Sequence, residues 1–288
     1  MINETIYLAG WEINFNDPND LKKFLLTHRI NETDFNFYRQ HGTLLKLTIE
    51  NNKITTCTEC YRAVDGTEVE SERTVNIDLP TVDLPIHRLG FLESSSEGLH
   101  KIGGKKPDEF NLPAHSVLKT PFVYLGTIDG TDPHFSWMNL AKFHLAFPLY
   151  ECVFGLFVDY SDPFSLKLLN PEKVTDAWFE TTGNVPDNLE FAEYWYKVID
   201  AIDGYLIENS LQQSVSIPGW RQYPDIPVCP KTCEIMRFVC EIQSDNETKL
   251  INHTDNLKID DYLIFGDYGT LYVFYHPESK IAYYNYQW

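Results

Sequence analysis

Two stretches of this chain follow one spacing pattern, and that pattern restricts the fold more than any other feature. The first begins His100-Lys101-Ile102-Gly103-Gly104, passes Pro113 and ends in Phe122-Val123-Tyr124-Leu125-Gly126-Thr127-Ile128. The second begins Ile217-Pro218-Gly219-Trp220, passes Pro227 and ends in Met236-Arg237-Phe238-Val239-Cys240-Glu241-Ile242. Gly104 to Pro113 is nine positions and Gly219 to Pro227 is eight; from each proline to the final segment is nine. Both final segments alternate at period two, which puts Phe122, Tyr124, Gly126 and Ile128, or Met236, Phe238, Cys240 and Ile242, on one face of a strand. Leu156-Phe157-Val158 follows the first segment by 28 positions and Leu271-Tyr272-Val273 follows the second by 29. Self-similarity at fixed spacing marks a structural unit used twice.

One unit reads as a bend, a loop, a strand, a long connection and a second, more apolar strand. Gly103-Gly104 and Pro218-Gly219 supply the bend, and the prolines keep the loop out of a ladder. A single unit would leave its apolar faces in water, whereas two can cover each other. The expected architecture is α+β, with mostly antiparallel sheets, two similar repeats and an amino-terminal β-rich extension.

The extension is read over residues 1–95. Asp17-Pro18 opens a helix with a capping residue and a proline at the first helical position. Leu21, Phe24, Leu25 and His28 mark its inner face. A second helix ends near His41-Gly42. Leu45, Leu47 and Ile49 alternate as a strand, Asn51-Asn52 reads as a turn, and Asp65-Gly66 is a hairpin signal. Glu93 to Gly98 reads as a linker. The duplicated domain is then 96–288, with repeat one at about 98–165 and repeat two at about 215–288. Val153 to Val158 reads as one near-continuous apolar strand. Between the repeats, Asp187-Asn188-Leu189-Glu190 has the form of a capping box and predicts a helix over about 187–209, with Leu189, Ala192, Tyr196, Ile199 and Leu206 inward. The last hairpin runs up through Leu271, Val273 and Tyr275, turns at Pro277 to Lys280, and returns through Ile281, Tyr283 and Asn285.

The His100-to-Pro113 pattern resembles the YwqG-like proteins, a bacterial family of unknown function. So do Tyr223-Pro224-Asp225-Ile226-Pro227-Val228-Cys229-Pro230-Lys231-Thr232-Cys233, Phe265-Gly266-Asp267-Tyr268-Gly269 and the closing Asn285-Tyr286-Gln287-Trp288. The resemblance covers about residues 98–288. It implies a duplicated α+β fold and no assigned activity, with an immunity role against toxins for a subset of relatives. Relatives often carry a tighter Cys-x-x-Cys and a second cysteine pair near the last strand. Here the spacing is Cys229-x-x-x-Cys233 and the later segment reads Tyr275-His276-Pro277-Glu278-Ser279, which argues against a ribbon-like metal site.

Charge narrows the partners. Forty-two acidic residues face 23 Lys plus Arg, a formal charge of −19. Nucleic acid needs a basic footprint that this chain lacks, and an anionic membrane is disfavoured for the same reason. A basic protein would be attracted. No apolar run is long enough for a bilayer span, and the first residues lack the pattern of a signal peptide, so the expected location is cytoplasmic. Six cysteines in that setting read as thiols rather than disulfides.

Three groups of residues carry candidate chemistry. Cys57-x-x-Cys60 and Cys229-x-x-x-Cys233 offer four thiolates for zinc if the fold unites them, but free thiols are the preferred reading, with no metal and no cofactor. His100, His134, Asp129 and Asp159 sit near the strand ends of the first repeat and would serve proton transfer in a hydrolase or other small-molecule enzyme. Turn sequences such as Asp129-Gly130 explain the same aspartates without catalysis. Tyr283, Tyr284, Tyr286, Trp288 and Trp220 form the candidate binding surface, since Tyr and Trp bury area while keeping a polar tip. The preferred expectation is a non-enzymatic protein-binding protein. Its sharpest form is an immunity protein neutralising a basic bacterial toxin.

Overall fold

A computed structural model describes residues 4–8, 11–15, 18–41, 44–50, 53–74, 90–114, 121–153, 155–177, 189–200, 205–207, 215, 217–245, 247–252 and 261–288. The first part of the chain carries β1 (Glu4–Leu8), β2 (Trp11–Phe15), α1 (Pro18–His28), α2 (Glu32–His41), β3 (Leu44–Glu50), β4 (Lys53–Arg62) and β5 (Glu68–Thr74). Next come β6 (Gly90–Ser94), β7 (His100–Ile102), β8 (Val123–Asp129), β9 (Lys142–Phe147), β10 (Glu151–Val153), β11 (Leu156–Asp159), β12 (Lys167–Leu168) and β13 (Val174–Ala177). The remainder holds β14 (Tyr194–Asp200), β15 (Tyr205–Ile207), β16 (Arg237–Gln243), β17 (Thr270–His276) and β18 (Ile281–Gln287). The result is mostly antiparallel β, with three main sheets and few helices.

The chain divides into two compact units, one of residues 1–83 and 200–211, the other of 84–199 and 212–288. In the first, β15, β3, β4 and β5 form a sheet in that order. Pro18 starts α1, and Leu21, Phe24, Leu25 and His28 are its less exposed side, as their spacing predicts. Asp17, the expected cap, and Asn51-Asn52 lie outside the described residues. Asn31 caps α2: its side-chain oxygen accepts the Asp34 amide at 2.8 Å and its carbonyl accepts the Phe35 amide at 2.9 Å. Phe35 and Tyr38 then point into the core. Asp65-Gly66 turns β4 into β5, with Asp65 accepting the Thr67 amide and hydroxyl.

The second unit is built on two five-stranded sheets, ordered β6-β14-β7-β8-β9 and β12-β11-β18-β17-β16. One buried cluster joins them. Phe143 of β9 stacks on Tyr160 at 4.4 Å and meets Tyr275 of β17 edge-on at 5.3 Å, while Phe147 reaches Tyr286 of β18 at 5.9 Å. The outer face of the second sheet is covered too. Cys229, Trp220 and Ile226, on the proline-punctuated segment before β16, pack with Phe238, Tyr272, Phe274, Ile281 and Tyr283. On the first sheet Phe110 packs against Tyr124 and His144 from the corresponding side.

The two sheets contain antiparallel pairs of one register. In β8–β9, Tyr124 faces Ala146, then the register shifts and Gly126 faces Leu145. In β16–β17, Phe238 faces Phe274, then the register shifts and Cys240 faces Val273. At the shift Gly126 has φ +146°, and a Cβ there would lie 2.1 Å from the Lys101 carbonyl oxygen. The expected bend is also present: Gly103 has φ +73°, and its amide reaches the Leu125 carbonyl at 2.8 Å.

Four expectations are corrected. No helix spans the described part of 187–209: β14 and β15 occupy it. Tyr194, Trp195, Tyr196, Val198 and Ile199 are aromatic or β-branched, and β14 pairs Tyr194 with Ile102 and Tyr196 with His100, so pleated packing outweighs the helical spacing. The run from Val153 to Val158 is split at Gly155 into β10 and β11, which lie in different sheets. Leu156–Val158, expected as the second strand of the first unit, does not pair with β8: β9 does, while β11 pairs with β18 and β12. β6, placed by its sequence in the extension, belongs to a sheet of the second unit.

Candidate functional site

Three of the four candidate catalytic residues, His100, Asp129 and His134, come together around Asp132. β7 opens on His100, β8 ends on Asp129, and the following loop carries Asp132 and His134. The Asp129 amide donates to His100 Nδ1 at 3.1 Å, which leaves the proton on Nε2, 3.3 Å from Asp132 Oδ2. Asp132 Oδ1 accepts the His134 amide at 2.9 Å and lies 3.0 Å from His134 Nδ1. Asp129 accepts the Thr131 amide and hydroxyl and pairs with Lys142. All four residues are buried, and the Phe135 ring meets His100 edge-on at 5.0 Å.

Burial pushes His100 below the usual histidine range against the pull of Asp132. Burial would raise both carboxyls, but bonds from Lys142 and Thr131 hold Asp129 low, and bonds from the His134 amide and the two imidazoles hold Asp132 low. Both ring nitrogens of His100 are therefore engaged, one by backbone and one by a carboxylate. That suits an anchor fixing the Asp129–Phe135 loop better than a base awaiting substrate. Asp159 is not part of this group. It closes β11 and accepts the Ser161 amide at 2.8 Å, an ordinary turn contact.

Of the aromatic candidates, Tyr283, Tyr284 and Tyr286 are buried, and Trp220 and Trp288 are half-buried. β18 is the central strand of its sheet, and packing covers both of its faces: Tyr284 and Tyr286 lie in the inter-sheet cluster and Tyr283 in the outer one. Tyr283 and Asn285 both donate to Asp225 at 2.7 Å. Trp220 is half-buried, stacked 5.9 Å from Phe274, and Trp288 packs 5.3 Å from Tyr286. The sequence pattern fixed their alternation but not the position of β18 within the sheet.

Among the described residues, no three His, Cys, Asp or Glu side chains are placed to hold a metal. Cys60 is buried in β4 and its thiol is pushed up to about 12 by burial; the Cys57 side chain lies outside the described residues. The other pair has a different setting. Cys233 donates its amide to the Cys229 carbonyl at 2.9 Å, closing a single turn, and Cys233 is exposed with φ +60°. The Cys229 sulfur lies 3.1 Å from Ser279 Oγ. Ser279 Oγ lies 3.0 Å from His276 Nδ1, and His276 Nε2 lies 2.9 Å from Glu234 Oε2. Burial would raise the Cys229 thiol, but its hydrogen-bond contacts with Ser279, Thr232 and the amides of Thr232 and Lys231 hold it below the usual thiol range. Reading the sequence alone missed Glu234, His276 and Ser279. The only signal was two proline-containing turns more than forty residues apart, which the β16–β17–β18 register brings together.

A buried carboxyl lies on the same outer face. Glu241, Tyr272 and Asn285 face one another across β16, β17 and β18. Glu241 Oε2 accepts the Gly219 amide at 2.8 Å, whereas Oε1, Trp220 Nε1 and Asn285 Oδ1 have no hydrogen-bond partner. Burial holds the Glu241 carboxyl well above its usual range.

The first unit presents an apolar groove of about 620 Å³ lined by Leu25, Leu26, Ile30 and Val64, with Lys22 and the Arg29–Asp65 ion pair at its rim. Leu26 is 80% exposed and Val64 63%. Comparison with family models, with curated proteins and with solved structures returned no match.

Proposed function

We propose that this chain is a non-enzymatic cytoplasmic protein that binds another protein, and that its contact surface is the apolar groove of the first unit. The exposure of Leu26 and Val64 side by side carries this reading. Leu25, Leu26, Ile30 and Val64 together form a small apolar surface that a partner could cover. The formal charge of −19 favours a basic partner and speeds its approach. The sharpest form remains an immunity protein of the YwqG-like kind, occluding a basic toxin. The shared register of β8–β9 and β16–β17, with a shift at matching places, supports the duplicated unit on which that family reading rests.

Co-expression with the product of the adjacent gene tests the proposal. The expected result is a complex and protection of the host cell. Leu26→Asp and Val64→Asp should weaken the complex tenfold or more, leaving the circular dichroism spectrum unchanged. Neither complex nor protection would refute the immunity form; full affinity in both variants would remove the groove from the account.

The alternative is an enzyme at the first repeat, favoured by the convergence of His100, Asp129 and His134 on Asp132. In that case Asp132→Asn would abolish a hydrolytic activity while the fold persists. Under the binding proposal the same change only lowers stability.

A further inference from the structure

The turn from Cys229 to Cys233 and the β17–β18 turn meet in a chain of polar contacts that neither the binding groove nor the histidine–aspartate group uses. Its members are Cys229, Ser279, His276 and Glu234, each within 3.1 Å of the next. The Ser279 amide also approaches His276 Nδ1, at 3.2 Å. A donor amide at that atom places the ring lone pair there and the ring proton on Nε2, facing Glu234. The route for a proton therefore runs in one direction: from the Cys229 thiol to Ser279 Oγ, and from the Ser279 hydroxyl to His276 Nδ1, with Glu234 balancing the imidazolium. Such a relay activates a nucleophile.

The nucleophile itself is covered, since Cys229 is fully buried, whereas Cys233 at the other end of the turn is exposed. The Cys233 amide on the Cys229 carbonyl closes a single uncontinued turn, which keeps the two Cα atoms near the roughly 4.4–6.8 Å separation that a disulfide bridges. We propose that Cys229 and Cys233 form a peroxide-oxidisable pair: exposed Cys233 meets the oxidant, and Cys229, deprotonated through Ser279 and His276, closes the disulfide.

The steps balance. The Cys233 sulfur attacks one oxygen of hydrogen peroxide; an S–O bond forms, the O–O bond breaks, and the departing hydroxide takes the thiol proton as water. Cys233 is then a sulfenic acid, oxidised by two electrons, and the peroxide is reduced. The Cys229 sulfur next attacks the Cys233 sulfur; an S–S bond forms and the S–O bond breaks. The leaving hydroxide receives the proton that Cys229 passed to His276, giving a second water. Because Cys229 faces inward and Cys233 outward, closure requires the turn to rewind at Cys233, the residue already held at φ +60°.

Trypsin cleaves between Lys231 and Thr232, so a disulfide links two otherwise separate peptides. The full chain is treated with hydrogen peroxide, alkylated, digested and mapped by mass spectrometry. The expected product is the cross-linked peptide pair, with buried Cys60 and Cys240 alkylated only after denaturation. Cys229→Ser should arrest Cys233 as a sulfenic acid that dimedone traps. His276→Gln, and independently the milder Ser279→Ala, should slow disulfide closure tenfold or more while sulfenic acid forms at the parental rate. Unchanged closure in both variants overturns the relay. Over-oxidation of Cys233 without a cross-link overturns the pair, as does stoichiometric zinc on these thiols in the purified protein.

Discussion

At the scale of single residues, Glu241 is under the most tension. Its carboxyl is buried, one oxygen is bonded to the Gly219 amide and the other has no partner. Unfolded, it ionises near 4.5; folded, it keeps its proton to higher pH. Between those values the unfolded state binds fewer protons, so stability falls as pH rises out of the ordinary carboxylate range and levels off above the folded value. Glu241→Gln keeps the acceptor for Gly219 and removes the ionisation. The variant should be more stable than the parent by about 1–3 kcal/mol at pH 8, with little difference at pH 4. Urea unfolding at both values measures this, and an equal difference at each would show that ionisation is not the cause. Such a residue is hard to find by reading, because a glutamate in an alternating strand looks like an exposed position. Only the covering segment around Gly219 and Trp220 makes it buried.

At the scale of elements, the antiparallel pairs β8–β9 and β16–β17 carry like register shifts. The shift at Gly126 relies on a conformation closed to other residues and on contact with the Lys101 carbonyl. Gly126→Ala should cost about 2–4 kcal/mol, read by chemical denaturation. Its counterpart at Cys240 already carries a side chain and needs no such freedom, so Cys240→Ala should cost only what its buried thiol contributes. These strands were legible in the sequence: the period-two runs at Phe122–Ile128 and Met236–Ile242 became β8 and β16, and the final hairpin became β17 and β18. What was not legible follows from long-range pairing. Tyr194 to Asp200 has spacing compatible with a helix, and its place between β6 and β7 makes it a strand. The Cys229–Glu234 contacts depend on two turns meeting across strands, a relation that local pattern does not encode. The aromatic terminus was misplaced for the same reason: alternation gives faces, not neighbours.

At the scale of the whole molecule, charge and topology set the behaviour. A formal charge of −19 repels itself in the compact state. Raising ionic strength from 0.01 to 0.15 M shortens the screening length from about 30 to about 8 Å, so thermal stability should rise by ~2–4 °C. Calorimetry in sodium chloride measures the change, and a melting temperature indifferent to salt would place the acids too far apart to interact. Topology acts on a different timescale. β18 holds the middle of its sheet, with β17 on one side and β11 on the other, yet among the described strands of that sheet it is the last to be made. A ribosome that has released everything up to residue 280 has delivered four planks with no keystone between them. During that interval β11 and β17 each keep one edge vacant, and any chaperone that serves this protein would find its work there.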